Sequence, residues 1–96
     1  MTLVLSSKIR DKLSSKHGVK EDEIQQCFAN RERGYLRDPR EEHASDPPTL
    51  WFISETDYGR VLKVVFVPKD GKIYIRTAFE PNDNEKRIYN KYSKHN

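Results

Sequence analysis

Arg60, Lys63 and Arg76 are followed closely along the chain by two carboxylates, Glu80 and Glu85. Cations of this kind offset charge on phosphate oxygens, and a carboxylate or a tyrosine can move protons. Without a cofactor, that set suits RNA cleavage. The neighbouring 2′-hydroxyl attacks phosphorus once its proton is removed, so a protein need only orient it, neutralise the phosphate and protonate the leaving oxygen. Arg60, Lys63, Arg76 and Arg87 are the candidate phosphate ligands, and Glu80, Glu85 or a tyrosine the candidate proton-transfer groups. Lys69, Lys72 and Lys91, with Arg87, are the candidate RNA-backbone contacts.

Other chemistries find less support. The three histidines and single cysteine stand far apart, at no spacing that closes a zinc site, and the aspartates form no calcium loop. The four glycines each stand alone at a turn, so no phosphate-cradling loop exists, and no Gly-x-Ser-x-Gly element marks a serine hydrolase. No metal and no cofactor is therefore expected. Cys27, beside Phe28, reads as a small packed hydrophobe, and His17, at a helix end, as a capping or packing residue. His43, in an acidic loop, reads as solvated.

These residues must be positioned by a single domain, because 96 residues support one modest core. The net charge is only +3, but it is unevenly spread: residues 38–58 hold six acids and one base, and residues 59–79 five bases and one acid. The basic character thus falls on a central hairpin, which suggests an anionic partner such as RNA. Asp70-Gly71 sets that hairpin, since both central residues of a type I′ turn need positive φ. A two-residue loop there opposes Lys69 with Lys72, Val67 with Tyr74, Val65 with Arg76 and Lys63 with Ala78. Leu62, Val64, Phe66, Ile73, Ile75, Thr77 and Phe79 would then share the core face, leaving Lys63, Val65, Val67, Tyr74, Arg76 and Ala78 on the other.

The flanking segments follow from caps and periodicity. Thr2 to Leu5 is a short strand candidate. Residues 6–30 read as a helical hairpin, broken at Gly18, with Ile9 and Leu13 on one helix and Ile24, Cys27 and Phe28 on the next. Residues 35–79 read as antiparallel sheet, in which Tyr35-Leu36-Arg37 and Leu50 to Ile53 precede the hairpin. The Thr56 to Arg60 turn leaves open whether Trp51 or Phe52 faces the core. Residues 38–48 form an acidic, proline-rich surface loop. Asn82 and Glu85 form a capping box opening a last helix over 82–94, with Ile88 and Tyr92 on one face and Arg87, Lys91 and Lys94 as a basic stripe. The expected fold is α+β, with two N-terminal helices packed on a three- to four-stranded antiparallel meander and a C-terminal helix. Met1 to Leu5 does not resemble a signal peptide, and no run reaches membrane-spanning length, so a soluble, cytoplasmic protein is expected.

In order and spacing, several short elements resemble the BrnT toxins of bacterial type II toxin–antitoxin pairs, which share a RelE-like fold. They are Lys16-His17-Gly18-Val19 before an acidic helix start and Phe28, Asp38-Pro39, Gly59-Arg60 leading into Val61 to Val67, Ile75 to Ala78, and the Glu85 and Tyr89 pair. The similarity spans roughly Ser6 to Tyr89. It implies a metal-independent ribonuclease that inhibits translation by cutting mRNA. It also implies a neighbouring antitoxin as partner, in a homodimer or toxin–antitoxin heterotetramer, and a functional role for Arg60, Glu85 and Tyr89. The family's Ala-Arg step at the last strand end reads Ala78-Phe79 here, and the bases that usually follow it are Glu80-Pro81-Asn82-Asp83. That departure favours an alternative, a non-catalytic binding module of the same fold for a protein or nucleic acid.

Overall fold

In the computed structural model, which describes residues 2–38 and 47–94, three helices pack on one five-stranded sheet. The elements are β1 (Thr2–Val4), α1 (Ser7–Lys12), α2 (Glu21–Ala29), β2 (Leu36–Arg37), β3 (Leu50–Glu55), β4 (Val61–Lys69), β5 (Lys72–Phe79) and α3 (Asp83–Tyr92). α1 continues as a π-helical turn over Leu13–His17. Gly18, at φ 60°, stops it in the left-handed conformation that a side chain resists. Most of the acidic loop, including His43, lies outside the described residues.

The strand order is β1-β5-β4-β3-β2. β2 to β5 form the expected antiparallel meander, but β1 adds to it in parallel, pairing Thr2 with Lys72 and Val4 with Tyr74. The sheet is therefore mixed and five-stranded rather than an antiparallel sheet of three or four strands. Asp70 (φ 52°) and Gly71 (φ 74°) make the expected turn, and the pairing runs as read through Lys69↔Lys72 and Val67↔Tyr74.

Beyond that point the register departs from strict alternation. A β-bulge between Val65 and Phe66 pairs Phe66 with Ile75 but Val65 with Thr77, which leaves Arg76 as the extra residue. Val64 then pairs with Ala78 and Lys63 with Phe79. The inserted residue exchanges the faces of everything after it, so Ala78 enters the core face and Thr77 and Phe79 leave it. Ala78 is accordingly 0% exposed.

The pairings Phe52↔Val64 and Trp51↔Val65 also settle the open register of β3. Phe52 faces the helical hairpin, where its ring lies 4.7 Å from Phe28, and Leu13, Ile24, Cys27, Leu62 and Phe66 complete this core. Trp51 and Lys63 share the opposite face, which α3 covers through Tyr89 against Trp51 at 5.6 Å. Lys63 is buried in consequence, so α3 covers this part of the basic face. The buried residue of α3 is Tyr89, whereas Ile88 and Tyr92 remain partly open.

The segment after α2 ties down the far end of α3. Arg33 Nη1 donates to the Asn90 carbonyl at 2.7 Å, Gly34 N–H donates to the Lys94 carbonyl at 2.8 Å, and Tyr89 Oη donates to the Gly34 carbonyl at 2.8 Å. The bond from Arg33 satisfies a carbonyl that the end of α3 leaves open.

Candidate functional site

Where α3 meets the sheet, Lys63 Nζ lies 2.8 Å from Glu85 Oε2 and 4.3 Å from the centre of the Trp51 ring. β4 delivers the lysine, and the capping box places the carboxylate. Asn82 Oδ1 accepts the Glu85 N–H at 2.8 Å, while Glu85 Oε1 accepts the Asn82 N–H at 3.0 Å. The side chains of Lys63 and Glu85 are 11% and 20% exposed, so their attraction is only partly screened by water. They open on a groove of about 470 Å³, lined also by Leu36, Arg37, Asp38, Trp51, Ile88 and Tyr92. An ammonium and a carboxylate in contact beside an apolar groove can neutralise a phosphate and move a proton.

Arg60 occupies a different place. Its guanidinium donates to both oxygens of Glu23 at 3.1 Å, to Glu80 at 3.1 Å, and to the carbonyls of His17 (3.1 Å) and Gly18 (2.8 Å). It thereby joins the end of the π-helical turn, α2 and the link between β5 and α3. Burial works against its charge, but the bonds to Glu23 and Glu80 outweigh this and raise its pKa. Arg60 and Glu80 thus hold each other rather than joining Lys63.

The remaining candidates are dispersed. Arg76 is exposed at the bulge, and Lys69 and Lys72 face each other at the exposed hairpin tip. Arg87 lies on the outer side of α3, bonded to Asn84, and Lys91 Nζ is 5.3 Å from the Tyr92 ring. Tyr89 is 3% exposed, and burial pushes its hydroxyl pKa up although Arg31 draws it down, so it is poorly suited to take a proton. Of the predicted site residues, only Lys63 and Glu85 are brought together in the groove. Leu36, Arg37, Asp38 and Trp51, together with Ile88 and Tyr92, were not read as site residues, because the groove forms from β2, β3 and α3, which are far apart in the chain.

A second cavity, of about 960 Å³, lies between the end of α2, the β3–β4 turn and α3. On its rim, Asn30 Nδ2 donates to the Glu55 carbonyl at 2.9 Å and to Asp57 at 3.0 Å. Among the described residues, no three potential ligands gather where they could hold a metal ion, and no helix is long and apolar enough to cross a membrane. Compared with protein-family models and curated proteins, the chain matches none.

Proposed function

We propose that the protein is a metal-independent endoribonuclease of the BrnT-like, RelE-fold toxin type, restrained by an antitoxin, and that its chemistry takes place at Lys63 and Glu85. The observation that carries this reading is the 2.8 Å contact between these side chains at the edge of the groove. Glu85 takes the proton of an RNA 2′-hydroxyl as that oxygen bonds to phosphorus. The bond from phosphorus to the 5′-oxygen breaks, and Lys63 donates its proton to the departing oxygen. A 2′,3′-cyclic phosphate and a 5′-hydroxyl result. Transfer of the proton from Glu85 to Lys63 across their contact then restores the pair. Ile88 and Tyr92, at the groove, offer an apolar platform for a base.

A non-catalytic binding module is the second reading. Two observations favour it: Arg60 is held by Glu23, Glu80 and the carbonyls of His17 and Gly18, and Phe79 lies beside Lys63 where the resembled family has arginine. Expression alone in bacteria, with growth and total RNA followed together, separates the two. The proposal expects growth arrest with RNA loss, and neither for Glu85→Gln, because losing a proton-transfer group lowers the rate by roughly two orders of magnitude or more. Normal growth with intact RNA at high expression of the unaltered protein would overturn it.

A further inference from the structure

The geometry points to a binding track for the backbone of single-stranded RNA along α1 and the π-helical turn, leading past Phe79 to the groove. This deepens the ribonuclease reading and rests on it. Lys8, Lys12 and Lys16 recur every four residues and are all exposed, a spacing that keeps them near one line on a helix surface. The β1–β5 pairing ends at Val4↔Tyr74 and α1 begins at Ser7, so the row starts just beyond that end of the pairing.

Three acids, Glu21, Glu23 and Glu80, are held by arginines. Glu21 holds Arg10 at 2.7 Å, and Glu23 and Glu80 share Arg60. Among the described residues, none of Lys8, Lys12 or Lys16 has a carboxylate within ion-pair distance, and Asp11 is the single acid on α1 and the turn. The field of the row acts on His17, whose pKa is lowered first by burial and then by Lys16 and Lys12.

From His17, next to Lys16 in the chain, ring contacts lead to Lys63. The His17 ring lies 5.6 Å from Phe79, and the Phe79 ring lies 5.7 Å from Lys63 Nζ. A charged backbone held on the lysines therefore reaches an aromatic ring and then the Lys63–Glu85 pair. That continuity favours a single strand, whose bases can stack on Phe79 while its phosphates meet the cations.

The test uses the full chain and a short single-stranded RNA carrying 2′-O-methyl groups throughout, which cannot be cleaved. Binding is followed by fluorescence anisotropy across a salt series. Lys8→Gln/Lys12→Gln/Lys16→Gln, whose changes are all exposed, is expected to bind at least about tenfold more weakly. Its salt slope should fall by about 2, at roughly 0.7 for each lost phosphate contact. Lys86→Gln, an exposed lysine on α3 outside the row, should bind as the unaltered protein does. Unchanged affinity and slope in the triple variant would overturn the track, as would binding to phosphatidylserine vesicles without binding to RNA. If Glu85→Gln still cleaves unmodified RNA while the triple variant loses binding, the catalytic assignment fails and the track stands.

Discussion

Glu85 accepts the Asn82 N–H on Oε1 and the Lys63 ammonium on Oε2. The cap of α3 and the candidate site are therefore one hydrogen-bonded unit. Asn82→Ala should cost about 1 kcal/mol of stability, seen in urea unfolding. It should also lower RNA cleavage, because the carboxylate loses one of its tethers. Asn82→Asp, which keeps the cap, should restore both.

Lys63→Met removes one partner of a mostly buried pair and takes the ammonium from Glu85 Oε2. We expect destabilisation of about 3 kcal/mol, partly recovered in Lys63→Met/Glu85→Leu. A double-mutant cycle on unfolding free energies should give a coupling of about 0.5–3 kcal/mol. Strict additivity would mean that the contact does not form in solution.

Arg60→Ala should lower stability by about 1.5–3 kcal/mol, since hydrogen bonds to charged partners join three segments through it. Arg60→Lys should recover only part, because an ammonium cannot reproduce the planar fork. If Arg60→Ala leaves the urea midpoint in place while cleavage is lost, Arg60 touches substrate instead.

How far the sequence discloses these relationships depends on their range along the chain. Asp70-Gly71, Gly18 and the Asn82–Glu85 box are local, and each is where it was read. The bulge at Arg76 has no such signal, because one inserted residue leaves the alternation plausible on either side of it. It moved Phe79 from the core to the side of Lys63. The partners of Arg60 lie at 17, 18, 23 and 80, and only folding brings them together. Lys63 and Glu85 were readable as types, while their pairing required α3 to cover that face.

Cys27, 0% exposed with its thiol directed at the Ser54 carbonyl, has a pKa pushed up to about 12, chiefly by burial. At pH 8 a thiol reagent should label the native protein only as fast as it opens, and labelling should rise with urea. The thiol's stabilising contribution is fully present below its ordinary pKa of 9.0 and is lost as pH rises through about 12. Rapid labelling of the native state would contradict the packing.

His17 titrates in the opposite sense. Its pKa is lowered from 6.5, so its contribution to stability holds above that value and is lost as pH falls through the lowered one. In NMR titrations, Lys12→Gln/Lys16→Gln should shift the imidazole transition towards higher pH. No shift would mean that the two cations stay away from the ring.

The parallel seat of β1 beside β5 also sets an order of events. Residues 2–4 are made well before their partners at 72–74, which follow some seventy residues later. At about 5–20 residues per second, the first strand waits several seconds for the hairpin on which it docks. Closing so long a loop is slow relative to forming the Asp70-Gly71 hairpin, so the edge of the sheet is completed late. During synthesis the cationic helix that follows β1 therefore waits with it, beside the RNA of the ribosome that is making it.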